Sequence, residues 1–201
     1  MGKEGKKKDE LYEDNWPLFE KFLGYLRYLK IKKYIQEMDK PVCADIGCGF
    51  NGRFLFSIAD KIGYGYGFDL RANNRKSGNI EIINNQDLDG RLPLEDGTVD
   101  RVFLLAVLEH LDETAVIIDE SFRVLKSGGK IIMTTPTTIA KPVLEFLSYR
   151  LHLISEESIR EHKHYYTKKE LQNLLRQHDC ECEVYKTFQI CFNQLLVGKK
   201  K

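Results

Sequence analysis

The sequence has few cysteines and no long apolar run, and each absence excludes a class of protein. Its five cysteines are an odd number, which argues against a disulfide framework in a chain without a signal sequence. No stretch is long and apolar enough for a transmembrane helix. We therefore expect a cytoplasmic protein with reduced thiols and no membrane span.

An excess of charge of one sign is also lacking. The 31 lysines and arginines nearly balance the 30 acidic residues, which leaves a formal net charge of +1. Such a chain has no general attraction to nucleic acid or to anionic membranes, and no basic stripe runs along it. The lysine runs at 6–8 and 199–201 are typical of solvated tails. We expect no nucleic-acid partner.

Metal-ligand pairs are missing at the usual sequence spacings. Cys180 and Cys182 are separated by one residue, which is tighter than the usual zinc pairing, and no second cysteine or histidine pair accompanies them. Reduced cysteines that pack as small apolar side chains explain the pattern. The sequence predicts no metal site.

The stretch from 42 to 52, VCADIGCGFNG, carries the clearest chemistry in the chain. A short apolar strand runs into Gly47, Gly49 and Gly52, which have the G-x-G-x-x-G spacing of dinucleotide-binding loops. Glycines allow a sharp turn and a close ligand approach, and the N–H groups of the turn and of the following helix are ready donors. Asp45, two places before the first glycine, suits a ligand with a cationic group better than an anionic pyrophosphate.

Strand and helix patterns alternate along the rest of the chain, which favours an open, mostly parallel α/β sheet. Residues 1–15 are polar and predict a disordered tail, and a helix of about five turns follows Trp16-Pro17. Predicted strands cover 42–46, 63–69, 80–83, 99–105 and 131–135, with an antiparallel pair at 182–188 and 191–197. Predicted helices cover 52–61, a brief segment within 70–79, 112–125 and 137–160, and a last helix is capped by Thr167 and Glu170. A tight turn is predicted at 126–130.

Asp69 ends the second predicted strand, about twenty residues beyond the glycine loop, where a ribose-binding carboxylate belongs in a βαβ unit. A carboxylate there can accept hydrogen bonds from both ribose hydroxyls. The alternative role for an acid at a strand end is to cap a following helix.

Taken together, these motifs resemble the class I methyltransferases. The resemblance is carried by the glycine loop with Asp45, by Asp69, by the segment Ala106-Val107-Leu108-Glu109-His110-Leu111, and by Arg-Val-Leu-Lys-x-Gly-Gly at 123–129. Asn51 stands where the commonest form of the loop has a glycine. The resemblance covers about residues 40–198 and implies a Rossmann-like, mostly parallel seven-stranded sheet with an antiparallel last strand and helices on both faces.

The resemblance also implies the cofactor, S-adenosylmethionine, and the residues that bind it. The loop residues Asp45, Gly47, Cys48 and Gly49 would hold its amino-acid end. By the same resemblance, Asp69 and Leu70 would lie at the ribose, Asp87 and Leu88 at the adenine, and Ala106 beside the methyl group, with Asp89 as a competitor for Asp87.

The resemblance further implies one methyltransferase domain over 16–198, with an N-terminal helix and a substrate-covering insertion at about 137–166. Methyl transfer from a sulfonium is an in-line displacement, so alignment of the reactants can supply much of the rate. A base is needed only if the acceptor must lose a proton. His110 is the first candidate for that base, and His162 and His164 are alternatives.

We expect a methyltransferase that acts on a small molecule. Methylation of a nucleic-acid base is not expected, because no Asn/Asp-Pro-Pro-aromatic sequence follows the fourth strand. A catalytically silent cofactor-binding sensor or partner subunit is an alternative. An NAD-dependent oxidoreductase is a further alternative, against which Asp45 and the Glu109-His110 pair argue.

Overall fold

The computed structural model describes residues 18–85, 91–112, 114–152 and 156–201. The predicted tail at 1–15 and the predicted adenine contacts Asp87 and Leu88 lie outside these residues, as does part of the predicted insertion. Among the helices of the described segments, none is both long and apolar enough to cross a membrane.

Six α-helices and eight strands make up the regular structure of the described residues, together with three short 3₁₀ turns. The helices are α1 (Leu18–Gln36), α2 (Arg53–Ser57), α3 (Thr114–Val124), α4 (Lys141–Tyr149), α5 (Glu156–Arg160) and α6 (Lys168–Arg176). The strands are β1 (Val42–Ile46), β2 (Tyr64–Asp69), β3 (Arg75–Ser77), β4 (Ile80–Asn84), β5 (Val99–Leu105), β6 (Leu125–Pro136), β7 (Cys180–Phe188) and β8 (Asn193–Lys200). The 3₁₀ turns are Ala59–Lys61, Leu108–His110 and Thr138–Ala140.

All eight strands form one sheet in the order β3-β4-β2-β1-β5-β6-β8-β7. The five strands from β4 to β6 pair in parallel, whereas β8 runs antiparallel to both β6 and β7. The chain leaves β1 toward β2 on one side and later returns to β5 on the other side. This reversal opens a crevice at the carboxyl ends of β1 and β5, the place where such sheets bind ligands.

Alternating strand residues build a core on each face of the sheet. In β5, Val102 and Leu104 pack in one apolar cluster, while Phe103 between them packs in the other. Both faces are therefore buried, as is usual for parallel strands. The helices that cover the first face contribute Ile117 and Leu171, and those that cover the second contribute Ile31 and Leu55. The predicted mostly parallel sheet with helices on both faces is confirmed.

The brief helix predicted between 70 and 79 is wrong. This segment instead forms β3, which pairs antiparallel with β4 through Ser77 and Ile80. Gly78, with φ of 59°, follows Ser77 and allows the two-residue hairpin turn, which needs a residue at positive φ. The sheet consequently has one more strand than the seven expected, and the added strand lies at its edge.

The predicted turn at 126–130 is part of β6. Pairing between β5 and β6 shifts register between the Val99–Leu125 pair and the Arg101–Lys130 pair, so the extra residues of β6 bulge out of the ladder. Gly128, with φ of 75°, lies in this bulge. The glycines at 128 and 129 mark a break in strand pairing rather than the end of the strand.

The cap of α6 is formed as predicted. The Thr167 hydroxyl accepts a hydrogen bond from the Glu170 N–H at 3.3 Å, and the Glu170 carboxylate accepts one from the Thr167 N–H at 2.7 Å. These two bonds are the reciprocal pattern of a capping box. The cap fixes the point at which the chain leaves the segment after α5 and enters α6.

Candidate functional site

The glycine loop after β1 is held between the end of β2 and the segment after β5. The N–H groups of Gly47 and Cys48 both donate to the Phe68 carbonyl, at 2.7 and 3.1 Å. Gly47 has φ of 77°, and a Cβ at this position would overlap Cγ2 of Val107 and lie 3.0 Å from its Cγ1. Only glycine fits here, because both the backbone conformation and the space exclude a side chain.

Asp69 joins the loop to the strand end. One carboxylate oxygen accepts the Gly49 N–H at 2.9 Å, and the other accepts the Arg71 N–H at 2.9 Å. A carboxylate offers about four lone-pair sites, so each oxygen can accept a further hydrogen bond from a ligand. The alternative helix-capping role does not apply, because no helix follows within 70–79.

Asp45 lies in β1 beneath the loop and is 2% exposed. Burial raises the pKa of its carboxyl well above the ordinary value, and the negative charge of Asp69 raises it further. A buried carboxylate is costly unless a cation approaches it, so the position favours a positively charged ligand group.

The other loop and strand-end residues predicted to contact a cofactor occupy different positions. Cys48 is half-buried, and Leu70 is exposed at the end of β2. Ala106, at φ of 60°, donates its N–H to the Thr134 carbonyl at 2.8 Å and so fixes the turn that follows β5.

A cleft of about 520 Å³ lies beside the end of β2. Its lining residues are Ala72, Asn73, Asn74 and Asn84. The Asp69 carbonyl accepts the N–H of Ala72 at 3.3 Å and that of Asn85 at 3.2 Å. These bonds place the cleft directly next to Asp69.

On the other side of the loop, Glu109 is buried in the 3₁₀ turn after β5 and is 1% exposed. Burial raises the pKa of its carboxyl to about 7, while its own backbone N–H, the charge of Arg27 and the hydroxyl of Thr135 act in the opposite direction. Arg27 comes from α1, and burial lowers the pKa of its guanidinium whereas Glu109 raises it. The N-terminal helix therefore contributes a charged group to this end of the sheet.

His110 packs edge to face against His162, with 4.8 Å between the ring centroids. Burial lowers the pKa of His110, and burial together with His110 lowers the pKa of His162 to about 4. His162 is oriented by the Tyr165 hydroxyl, 3.0 Å from its Nδ1. Burial thus favours the neutral form of both imidazoles, and the ring nitrogens can accept protons or act as ligands.

Of the three histidines predicted as candidate bases, two lie together and the third lies apart. His162 joins His110, while His164 faces Glu170 at 3.2 Å and lies outside the His110–His162 pair. The Glu109 carbonyl accepts the N–H groups of Lys163 at 2.7 Å and His164 at 3.3 Å, which draws the two segments together. Sequence reasoning missed Arg27 entirely, because nothing in the pattern of α1 distinguishes it from the neighbouring lysines.

Comparison with known sequences gives a family match and two partial relatives. The model of a methyltransferase domain matches residues 44–133. A 48-residue stretch is 46% identical to a Mycolicibacterium smegmatis protein described as an S-adenosylmethionine-dependent methyltransferase, covering 24% of this chain and 19% of that protein. Over 100 residues the chain is 32% identical to a sterol 4-C-methyltransferase of Caenorhabditis elegans, covering 45% of this chain and 30% of that protein. The chain thus spans less than a third of the length of either curated relative.

Solved structures with the same fold include two methyltransferases. A Haloferax volcanii methyltransferase, solved in complex with the Trm112 methyltransferase activator, aligns with a TM-score of 0.68 at 16% identity and covers 97% of this chain and 94% of that one. An S-adenosylmethionine-dependent methyltransferase of Mesorhizobium loti aligns with a TM-score of 0.67 at 18% identity and covers 87% and 98%. The methyltransferase-domain match over 44–133 includes the glycine loop, Asp69 and the Glu109-His110 segment, so this part of the chain is similar to a methyltransferase domain, and the sheet has the fold of these solved structures.

Proposed function

We propose that this protein transfers a methyl group from S-adenosylmethionine to a small-molecule acceptor with an apolar body. The observation that carries the proposal is that the glycine loop is held on two sides, by Asp69 at the end of β2 and by Val107 after β5. Its Gly49 N–H is bonded to the Asp69 carboxylate, and its Gly47 packs on Val107 beside Glu109 and His110. The loop therefore lies between Asp69, a carboxylate that can accept hydrogen bonds from ribose hydroxyls, and the titratable side chains of Glu109 and His110.

The residues present suit each part of the cofactor. Asp45 offers a buried negative charge to the ammonium group, and the free lone pairs of Asp69 suit the ribose hydroxyls. The cleft beside Ala72 and Asn84 suits the adenine, where Asp87 and Leu88 are still predicted contacts. When bound, S-adenosylmethionine supplies an electrophilic methyl group on sulfur. Cys48, Leu70 and Ala106 remain predicted neighbours of the cofactor.

The acceptor side is proposed to lie between α1 and the insertion at 137–166. Tyr165, in the insertion, lies close enough to Glu145 in α4 and to Glu109 after β5 for their charges to act on it: burial, and then these two negative charges, raise the pKa of Tyr165 to about 12. In the same insertion, Ile139 and Phe146 expose 58% and 55% of their surface, which suits an apolar acceptor. The sterol methyltransferase among the relatives acts on an acceptor of this kind.

His110 stays the predicted base for an acceptor that must lose a proton. Burial lowers its pKa, so the imidazole is neutral at pH 7 and able to accept one. Its position in the segment that packs against the glycine loop is consistent with a place next to the transferred methyl group. No separate base is needed for an acceptor whose attacking atom is already deprotonated.

Transfer of a labelled methyl group tests the proposal. The purified full chain is incubated with methyl-labelled S-adenosylmethionine and fractionated pools of apolar metabolites, and label is expected in a low-mass product. Label found only in protein or nucleic acid would contradict the small-molecule acceptor.

Binding measurements on the same protein distinguish the methyltransferase from the two alternatives, an oxidoreductase and a catalytically silent protein. Calorimetry is expected to show binding of S-adenosylhomocysteine and none of NAD, because the Asp45 charge opposes a pyrophosphate. Binding of NAD alone would reject the methyltransferase in favour of an oxidoreductase. Binding of S-adenosylhomocysteine without transfer to any fraction would favour the catalytically silent sensor or partner subunit.

A further inference from the structure

Three side chains with metal-binding atoms meet next to the glycine loop. Glu109 and His110 lie in the 3₁₀ turn after β5, and His162 lies between α5 and α6. One ligand atom from each residue, a carboxylate oxygen or an imidazole nitrogen, lies within 4.8 Å of the other two. Two segments more than fifty residues apart in sequence are needed to assemble this group.

Two atoms of the group are buried without a hydrogen-bond partner among the described residues. They are Oε2 of Glu109 and Nδ1 of His110. Leaving a buried polar atom unpaired costs about 1–3 kcal/mol, and folded proteins rarely tolerate it without a reason. A bound cation that accepts both lone pairs would remove this cost.

The third residue is held by a neighbour in the way that metal ligands commonly are. The Tyr165 hydroxyl lies 3.0 Å from Nδ1 of His162 and fixes the orientation of the ring. When Nδ1–H donates to the tyrosine oxygen, the lone pair of the imidazole is on Nε2. Outer-shell partners of this type set the tautomer and orientation of metal-binding histidines.

Positively charged neighbours act against a cation, whereas Glu161 places a negative charge near His110 that favours one. Arg27 faces Glu109 from α1, and Lys163 follows His162 but pairs with Asp112. Nε of Arg27 is itself buried without a partner among the described residues, so the contact between Arg27 and Glu109 does not satisfy either group fully. Arg27 should therefore weaken an ion at Glu109 without preventing its binding.

We propose that Glu109, His110 and His162 form a binding site for a divalent first-row transition ion such as Zn²⁺ or Co²⁺. Two imidazoles and one carboxylate are a ligand set for such ions rather than for Mg²⁺ or Ca²⁺, which prefer oxygen ligands. Three protein ligands leave coordination positions open, as in catalytic sites. This differs from the sequence-based expectation of no metal site, which considered only spacings along the chain.

The open positions would face the acceptor region, and this role rests on the proposed function. An ion beside His110 could bind an oxygen atom of the acceptor and lower the pKa of its hydroxyl. His110 would then act as a ligand instead of the base. Ion binding itself does not depend on methyl transfer.

The test is a titration of the metal-free full chain with Co²⁺ and with Zn²⁺. Calorimetry is expected to give one equivalent bound, and Co²⁺ is expected to show visible absorption of a nitrogen- and oxygen-ligated ion without thiolate charge-transfer bands. The thiolate bands matter because none of the five cysteines is in a disulfide. Failure to bind one equivalent of either ion, or a spectrum of thiolate ligation, would overturn the proposal.

Four variants identify the ligands. Glu109→Gln and His162→Ala should each weaken Co²⁺ binding by about a hundredfold or more, and Tyr165→Phe by about tenfold, in line with losses seen for outer-shell partners. The matched control is His164→Ala, since His164 is a neighbouring imidazole that pairs with Glu170 instead. Wild-type affinity in both Glu109→Gln and His162→Ala, with circular dichroism showing folded protein, would also overturn the proposal.

Binding of S-adenosylhomocysteine and labelled transfer are measured on the same samples. A protein that binds the ion but transfers no methyl group retains the metal site and contradicts the proposed function. A protein that transfers the methyl group without binding any ion retains the proposed function and contradicts the metal site.

Discussion

Replacing Asp69 with alanine tests the cofactor site most directly, because this carboxylate anchors the glycine loop and is the expected ribose acceptor. Its two oxygens accept the N–H groups of Gly49 and Arg71, each at 2.9 Å. Hydrogen bonds to a charged acceptor contribute about 1.5–3 kcal/mol each. Asp69→Ala removes these bonds from the loop as well as any bond to the ribose.

The expected loss of affinity follows from these bonds. Losing one or two ribose bonds, partly replaced by water, should cost about 2 kcal/mol, which is about thirtyfold in the dissociation constant of S-adenosylhomocysteine. Because the Gly49 N–H also loses its partner, the loop becomes less ordered in the free protein. Ordering it again when S-adenosylhomocysteine binds costs additional free energy. Thirtyfold is therefore the lower limit of the expected loss.

Calorimetry with S-adenosylhomocysteine measures the effect, with Asp60→Ala as the matched control. Asp60 loses the same charge, but its side chain is 75% exposed and pairs with Lys61 at 3.1 Å near the amino end of β2, opposite Asp69. Asp60→Ala should bind with wild-type affinity. Unchanged affinity in Asp69→Ala would refute the assignment, and an equal loss in both variants would show that the carboxylate does not act through direct contact.

Two further substitutions test the loop and the strand beneath it. Gly47→Ala should lower the free energy of unfolding by about 1–3 kcal/mol more than Gly78→Ala does. Both glycines have positive φ, but only at Gly47 does a side chain, that of Val107, occupy the space of the new Cβ. Equal losses of stability in denaturant unfolding would refute this steric argument. Asp45→Asn should change how stability depends on pH, because burial, and then the charge of Asp69, raise the pKa of Asp45 in the folded state. As the pH rises above about 4, Asp45 ionises in the unfolded state first, so the wild type loses stability. The variant should therefore be more stable than the wild type at pH 7 but not below pH 4. The same variant should bind S-adenosylhomocysteine at least about tenfold more weakly, and a stability difference independent of pH would contradict this account of Asp45.

Several buried ionisable groups lie at the site. Asp45 and Glu109 are both buried, and in each the pKa of the carboxyl is raised, first by burial. Arg27, His110 and Glu109 each have a buried atom without a partner among the described residues. Shifted pKa values and unpaired groups of this kind are more common at functional sites than elsewhere, because the fold gives up stability there to bind a ligand.

Much of the sheet could be predicted because its strands obey local rules. β1 and β5 are short, mostly apolar segments bounded by polar or glycine-rich turns, and their ends agree with the predicted ends. The cap of α6 was predictable because Thr167 and Glu170 satisfy each other within four residues. The hairpin of β3 was not predicted, since three exposed residues, Arg75 to Ser77, have no apolar alternation and become a strand only by pairing with β4.

The sequence by itself determined the glycine loop, the acid at the end of β2 and the Glu109-His110 segment, because each depends on residue types at short spacing. Only the tertiary structure decided which of these groups meet. Sheet topology brings β1, β2 and β5 side by side, so Gly49 reaches Asp69 and Gly47 packs on Val107. Bonds from the segment after α5 to the Glu109 carbonyl bring His162 to His110, and packing of α1 brings Arg27 to Glu109. No local pattern could predict these last contacts, because they depend on how distant segments pack against the same edge of the sheet.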